Sequence, residues 1–301
     1  MTTESVSVGA YRTLSDLIPR RQKNAIKRGI AFGRRLVPAT PRLAPSFMII
    51  GAQKAGTTSL FKYLMWHGAY LRPLLKDIYF FDRDFDRGLP WYLSFFPAHS
   101  AAEEHAARLG GPVVTGEGAT HYLLHPWAPE RMRSLFPEMR IVVLLRDPVR
   151  RAVSHYYHNV RMGTEPMADP LQAFEAEESR IAADARRMAE DPHFYSDDVM
   201  RYSYLGRGRY AEQLARWFAC FPREQILVQF SERFYGEPDQ SFREICRFIG
   251  IAEKSLPAYP PEGAGGGKQP VEAAVAYAKD YFRPHNIVLR ALLGTDPGWA
   301  S

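Results

Sequence analysis

The stretch SFMIIGAQKAGTTSL at residues 46–60 decides the fold. Its apolar run at residues 47–50 predicts a buried strand that stops at Gly51, and apolar residues at helical spacing begin with Leu60 and Tyr63. A strand, a short glycine-containing loop and a helix N-terminus direct backbone N–H groups and the positive end of a helix dipole toward one point. The stretch therefore predicts a phosphate-binding loop at the end of a strand.

The lysine of this loop does not stand where nucleotide hydrolases place it. The Walker A pattern puts a lysine directly after its second glycine. Here Thr57 holds that position, and Lys54 precedes Gly56 by two residues. We therefore expect a phosphate site of a different kind from that of an ATPase.

Outside the loop, apolar runs of strand length alternate with stretches of helical spacing. The predicted strands cover residues 47–50, 112–115, 140–145 and 225–230. The predicted helices cover residues 58–66, 129–136, 149–160, 210–218, 241–249 and 271–293. Continuous apolar strands between helices are typical of a parallel sheet that binds ligands at the carboxyl ends of its strands. We predict an α/β fold, a P-loop-like three-layer sandwich with a central parallel sheet flanked by helices.

Charge divides the 301-residue chain into two parts. Residues 1–44 carry nine basic and two acidic residues, so this arm holds a charge of +7, whereas the whole chain carries +6. We expect a basic N-terminal arm at residues 1–44, followed by one domain at residues 45–301. Residues 162–208 contain an acidic run and are predicted to form a helical insert or lid over the sheet.

The arm allows two interpretations. A possible amphipathic helix follows Pro19, and a basic amphipathic segment at residues 11–37 can rest on an anionic membrane surface. The alternative is a tail that is solvated or docked on its own domain. No apolar run approaches the roughly 20 residues that cross a bilayer, and no signal peptide is evident. Since Cys220 and Cys246 are predicted to be buried free thiols, we expect a cytoplasmic protein that is at most peripheral to a membrane.

A second stretch, RIVVLLRDPVRRAVSHYYH at residues 140–158, predicts another anion site. Arg146 follows a predicted strand, Pro148 suits the first turn of a helix, and Ser154 comes two turns later. An arginine at a strand end and a serine on the next helix can hold a second anion beside the first. The alternative is that Asp147 simply caps the helix.

The two stretches together resemble the 5′-phosphosulfate loop and the 3′-phosphate motif of sulfotransferases that use 3′-phosphoadenosine 5′-phosphosulfate (PAPS). Further segments resemble the glycan branch of that family, which includes heparan sulfate sulfotransferases: KDIYFFD at 76–82, GLPWY at 88–92, Gly116-Glu117 with Tyr122, and KQP at 268–270. The resemblance extends over residues 46–293. It implies transfer of a sulfuryl group from PAPS to a hydroxyl or amine of a carbohydrate or glycolipid, without a metal.

The resemblance also assigns roles to residues. Lys54 would stabilise the charge that develops on the bridging oxygen as the sulfuryl group is transferred. Arg146 and Ser154 would bind the 3′-phosphate, and Lys268 could either close over the phosphates or remain a solvated loop residue. The residues expected to hold the 5′-phosphate are Gln53, Ala55, Gly56, Thr57, Thr58 and Ser59.

The acceptor must lose a proton as it attacks sulfur, so a carboxylate or a histidine is expected within reach of it. Asp77 stands where the family has a glutamate and is the expected base, and Tyr79 replaces a family histidine. Glu117 and His121 are the alternative bases. Lys76, Tyr79, Glu117 and His121 are expected to contact the acceptor, although Asp77 could instead pair with Lys76.

Two other functions remain open. A P-loop kinase or NTPase needs a lysine after Gly56 and an acid that holds Mg²⁺ at a strand end, where the chain has only Asp147 between Arg146 and Pro148. A non-catalytic protein could instead use the basic arm to bind a membrane. Nucleic acid is not expected as a partner, because the chain after the arm is nearly neutral and contains no recognised nucleic-acid-binding motif.

Overall fold

The computed structural model describes residues 20–36, 40–261 and 271–299. Predictions that concern residues 11–19, Val37 and Lys268 fall outside these ranges. The strands are β1 (Phe47–Gly51), β2 (Gly116–Glu117), β3 (Arg140–Leu145) and β4 (Ile226–Phe230). The helices are α1 (Arg20–Leu36), α2 (Thr57–His67), α3 (Leu89–Leu93), α4 (His99–Leu109), α5 (Ala128–Leu135), α6 (Pro148–Arg161), α7 (Pro170–Glu175), α8 (Glu177–Glu190), α9 (Asp197–Tyr202), α10 (Tyr210–Cys220), α11 (Ser231–Gly236), α12 (Pro238–Ile249) and α13 (Glu272–Leu293).

The four strands form one sheet in the order β2-β1-β3-β4, and each neighbouring pair is parallel. Phe47 of β1 stands opposite both Gly116 and Arg140, and Ile141 of β3 stands opposite Ile226. Every residue of β1 is buried, and so is every residue of β3 after Arg140, because helices flank the sheet. The predicted α/β fold with a central parallel sheet is confirmed. The carboxyl ends of β1 and β3 therefore meet at one edge.

One predicted strand was misplaced. Residues 112–115 pair with the rest of the chain through a single parallel bridge between Val114 and Tyr70, and the strand beside β1 begins only at Gly116. A Cβ at Gly116 would stand 2.3 Å from the carbonyl oxygen of Phe47. The glycine thus lets β2 approach β1 closely, whereas apolarity alone favoured the preceding residues.

Residues 162–208 contain α7, α8, α9 and a short 3₁₀ helix at Gly206–Gly208. Glu177 is buried and accepts the backbone N–H groups of Leu205 at 2.5 Å and Gly206 at 2.7 Å, so the start of α8 is tied to the end of this segment. Burial raises the pKa of Glu177 to about 7, against these hydrogen bonds, which lower it. That the segment acts as a lid stays a prediction.

The aromatic residues of the 76–92 region belong to the core. Phe80 and Tyr92 are fully buried and stack with ring centroids 4.5 Å apart, while Phe81 meets Tyr92 edge to face. Phe81 is fully buried as well, and Trp91, at 7% exposure, packs there too. These rings fix the backbone that carries Asp77 and its neighbours.

Cys220 and Cys246 were predicted to be buried free thiols. Both cysteines are free thiols, Cys246 buried and Cys220 half-buried. Within the described ranges, no helix combines the length and the apolarity that crossing a membrane requires.

Candidate functional site

Residues of α11 support the phosphate loop, which lies between β1 and α2. Ser231 donates its hydroxyl to the carbonyl oxygen of Ala55 at 2.6 Å. Gly56 precedes α2 with φ +102°, and a Cβ there would stand 2.8 Å from the Tyr235 hydroxyl. Glycine is required on both counts, because a left-handed φ disfavours side chains and no space is left for one. The loop is therefore a rigid cradle that ends at the N-terminus of α2.

The first turn of α2 presents its backbone toward the loop and turns its side chains in different directions. Thr57 is buried, Thr58 is exposed, and Ser59 is fully buried with its hydroxyl 3.1 Å from the Tyr235 hydroxyl. The Ser59 side chain therefore supports the loop through Tyr235, and its predicted contact with the 5′-phosphate stays a prediction. Its backbone N–H belongs to the first-turn donors that an α-helix leaves without intrahelical acceptors.

Lys54 supplies the positive charge of the loop between β1 and α2. It has φ +71°, and its carbonyl oxygen accepts a hydrogen bond from Arg146 Nη1 at 3.0 Å. Burial lowers the pKa of Lys54, and repulsion from Arg161 and Arg146 lowers it further. In the described part of the chain, no carboxylate forms an ion pair with any of these three residues. Cations that repel one another and have no carboxylate partner among the described residues form a donor set that fits a polyanion.

At the start of α6 the structure shows the helix cap that the sequence offered as one alternative, and this cap leaves the Arg146 side chain directed to the loop. The Asp147 side chain caps the helix by accepting the Arg150 N–H at 2.9 Å, while Arg146 reaches back to the loop. Ser154 lies on α6 and is partly exposed. The structure thus joins Arg146 to the loop that carries Lys54, and Arg161, at the far end of the same helix, also acts on the charge of Lys54. Gln53 and Ala55 lie within the loop, where Gln53 Oε1 is buried and has no hydrogen-bond partner among the described residues.

The segment expected to face the acceptor follows the same edge of the sheet. Leu123 donates its N–H to the Ile50 carbonyl oxygen at 3.0 Å, and Gly118 lies against Ile49. Residues 117–123 therefore run beside the strand that leads into the phosphate loop. The phosphate loop and the segment expected to face the acceptor share one edge of the sheet, although they are far apart in sequence.

Lys76 and Asp77 form a pair at this edge. Lys76 Nζ lies 3.2 Å from Asp77 Oδ1 and 3.1 Å from the Gly118 carbonyl oxygen, and the two side chains are 17% and 15% exposed. The pairing that was the alternative for Asp77 is thus present. Both groups keep a solvent-facing portion, so pairing does not remove them from an acceptor.

Glu117 does not fit its predicted role as an acceptor contact or base. It is fully buried, it accepts the Ile78 N–H at 3.2 Å, and the Tyr122 hydroxyl donates to it. Burial raises the pKa of Glu117 well above its ordinary value. This carboxyl group joins the 76–82 segment to the 116–122 segment and has no exposed surface to offer a substrate.

His121 lies beside two polar side chains, those of Asp82 and Tyr195. Its Nδ1 is 3.4 Å from Asp82 Oδ2 and 3.4 Å from the Tyr195 hydroxyl, and its ring centroid is 5.0 Å from that of Tyr79. Its side chain is 19% exposed, whereas that of Asp82 is 0% exposed. Burial lowers the pKa of His121, Asp82 raises it, and Arg207 lowers it. An imidazole that is neutral near pH 7 and touches a carboxylate can accept a proton.

Three of these residues were missed from the sequence. Asp82 ends the quoted KDIYFFD motif, but only folding shows that it faces His121. Tyr195 comes from the insert, and Arg161 lies four turns along α6 from its N-terminus. The helical spacing of α6 could have signalled Arg161, because basic residues recur along the helix that starts at the anion motif.

The fold and the site combine a strand–loop–helix turn, Lys54 and Arg146 at the carboxyl edge of a parallel sheet, an arrangement that suits a phosphorylated ligand. Residues 44–259 match the model of the sulfotransferase domain family, and the chain belongs to that family.

Several known sulfotransferases are similar to this chain in sequence or in structure. The bifunctional heparan sulfate N-deacetylase/N-sulfotransferase of Drosophila melanogaster is 29% identical over 216 residues, which are 69% of this chain and 20% of that protein. Heparan sulfate glucosamine 3-O-sulfotransferase 6 of Homo sapiens is 27% identical over 284 residues, 86% of this chain and 74% of that protein. The chain thus spans only about a fifth of the Drosophila enzyme's length. The solved sulfotransferase of Alicyclobacillus acidocaldarius is 28% identical with a TM-score of 0.63, covering 84% of this chain and 97% of that one.

Proposed function

We propose that this protein is a PAPS-dependent sulfotransferase that transfers a sulfuryl group to a hydroxyl, or an amine, of a carbohydrate or glycolipid. The observation that carries the proposal is Lys54 in the loop before α2, with Arg146 bonded to its carbonyl oxygen, Arg161 near enough to lower its pKa, and no carboxylate ion-paired with these cations in the described part of the chain. The glycan class of the acceptor is supported by the printed names of the heparan sulfate enzymes it resembles.

The residues present fit PAPS as the sulfuryl donor. The loop from Gln53 to Gly56 and the first-turn N–H groups of α2 would hold the 5′-phosphosulfate, as helix N-termini hold anions. Arg146 and Ser154 would hold the 3′-phosphate. When bound, PAPS supplies the sulfuryl group and a phosphate leaving group.

Lys54 is placed to stabilise charge on that leaving group. It is half-buried, and the hydrogen bond from Arg146 to its carbonyl oxygen holds the backbone that carries its side chain. A cation held in place before the reaction lowers the barrier without reorganising when negative charge develops. The neighbouring cations favour the same bound anion, so the loop side of the site needs no acidic residue.

For the general base we propose His121 ahead of Asp77. The Asp77 carboxylate is already engaged by Lys76, whereas His121 offers a partly exposed imidazole that the buried Asp82 can orient and stabilise when protonated. His121 also lies against Tyr79, the residue at the position of the family histidine, so an imidazole is present beside that position. Asp77 and Lys76 would then contact the acceptor.

The base assignment is tested by comparing His121→Asn with Asp77→Asn. If His121 is the base, its variant should lose about 10²–10⁴-fold in kcat and lose the acid limb of the pH profile. Asp77→Asn should mainly raise the KM of the acceptor and keep that limb. The opposite pattern assigns the base to Asp77.

The function itself is tested by binding and by transfer. Calorimetry with the 3′,5′-bisphosphate product should show binding that does not depend on Mg²⁺, and labelled PAPS should transfer sulfate to at least one of heparan sulfate, neutral glycans, glycolipids or amino sugars. Mg²⁺-dependent binding of ATP in place of the bisphosphate would favour the kinase alternative. Transfer only to phenols would keep the activity and reject the glycan class.

A further inference from the structure

Helix α1 has an unusual charge composition. Its 17 residues include seven basic residues and no acidic ones: Arg20, Arg21, Lys23, Lys27, Arg28, Arg34 and Arg35. The same helix carries three apolar side chains that are strongly exposed, Ile26 at 55%, Ile30 at 46% and Phe32 at 60%. A helix of this composition on a soluble surface would be expected to bury its apolar side chains and expose its charges.

In the structure, α1 instead exposes these apolar side chains and turns part of its basic side toward the domain. Ala31 is 1% exposed, and Arg34 Nη1 donates to the carbonyl oxygens of Ser94 and Phe96, both at 3.3 Å, at the end of α3. Burial lowers the pKa of Arg28, while attraction to Asp84 opposes this. The helix therefore rests on the domain through Ala31 and part of its basic side, which determines which side is left outward.

Residues 41–43, in the next described part of the arm, bind the segment that follows α3. Arg42 pairs with Ala98 as an antiparallel bridge, Leu43 donates its N–H to the Pro97 carbonyl oxygen at 2.9 Å, and His99 donates to Pro41 at 2.8 Å. The described end of the arm is thus attached to the same surface as α1. The described part of the arm, residues 20–36 and 40–44, is docked on the domain, which was one of the two expectations.

The outward side of α1 carries all three exposed apolar side chains. Ile26 and Ile30 are one turn apart and so share a side of the helix. The exposed Gly29 and Gly33 separate them from Phe32, and a Cβ at either glycine would meet no atom within 4 Å. Basic residues border this surface in the sequence, which is the pattern of a helix that lies in the interface of an anionic membrane.

We propose that the outward side of α1, residues Ile26, Ile30 and Phe32 with the glycines between them, binds the surface of an anionic membrane. The apolar side chains enter the boundary between headgroups and acyl chains, and the bordering arginines and lysines meet lipid phosphates. An anionic lipid surface is the occupant because seven cations with no acid would repel a second copy of the same helix. The transfer site is built from other elements, so binding does not require its residues.

The test is cosedimentation of the full-length protein with vesicles of phosphatidylcholine alone and of phosphatidylcholine mixed with phosphatidylglycerol. The protein should bind the mixed vesicles, and binding should weaken as salt rises, because exposed charges are screened over about 10 Å at 0.1 M salt. The variant with Ile26→Ser, Ile30→Ser and Phe32→Ser should bind at least about tenfold more weakly.

A matched control comes from α13, where Ile287 and Val288 are 61% and 57% exposed. Serine at both positions removes comparable exposed apolar surface, and vesicle binding should stay within about twofold. Absence of wild-type binding, or equal loss in both variants, would overturn the proposal. So would light scattering that shows a dimer abolished by the α1 substitutions, since the surface would then bind a second copy. Bisphosphate binding by the variants shows that they are folded.

Discussion

Replacing Lys54 with alanine gives the sharpest test of the charge arrangement. Lys54 already has a Cβ at φ +71°, so alanine adds no new backbone strain and the change isolates the ammonium group. Losing one preorganised donor at a site of developing charge costs about 3–4 kcal/mol, which corresponds to a fall in kcat of roughly 10²–10³-fold. Removing the lysine also relieves its repulsion with Arg146 and Arg161, so binding of the bisphosphate product should weaken by less than about tenfold.

The assay is single-turnover transfer from labelled PAPS, with calorimetric titration of the bisphosphate alongside it. Lys254→Ala is the control, because Lys254 is an exposed lysine that lies on the chain segment after α12, outside the transfer site. Its kcat should remain within about twofold of the wild type. A kcat for Lys54→Ala within about threefold of the wild type, with normal folding, would refute the role of Lys54 in stabilising the leaving group.

Other perturbations test the remaining parts of the site. Arg146→Met should raise the KM for PAPS and weaken bisphosphate binding by about 10–100-fold, measured by calorimetry, with a smaller effect on kcat; unchanged binding would contradict the second anion site. Gly56→Ala should destabilise the fold by at least about 1–2 kcal/mol, because its φ of +102° disfavours a side chain and the Cβ would press on Tyr235, and thermal melting should show it. Because burial lowers the pKa of His121 below 6.5 and the neutral ring is the base, kcat should fall only below that pH. Asp82→Asn, which removes a group that raises this pKa, should lower kcat and move the acid limb to lower pH; a limb that moves upward would reject the pairing.

Local pattern in the sequence was sufficient for most of the fold. Strand β3 was predicted with its observed bounds, and β1, α2 and α6 were predicted to within two residues at each end. Each has a continuous apolar run or a helical spacing bounded by a clear signal, such as Gly51 or Pro148. Strand β2 failed because its position depends on the close approach of Gly116 to Phe47, which no local apolarity encodes.

The candidate site, like the fold, has parts that local sequence pattern predicts and parts that depend on tertiary contacts. The sequence by itself determined the phosphate loop, the anion motif at Arg146 and the order of the segments, because strand ends and helix starts are local features. Only the tertiary structure decided that Glu117 is buried, that His121 meets Asp82, and that α1 leaves its apolar side outward. These outcomes depend on contacts between segments distant in the chain, and burial and pairing are properties of such contacts, not of spacing along the sequence.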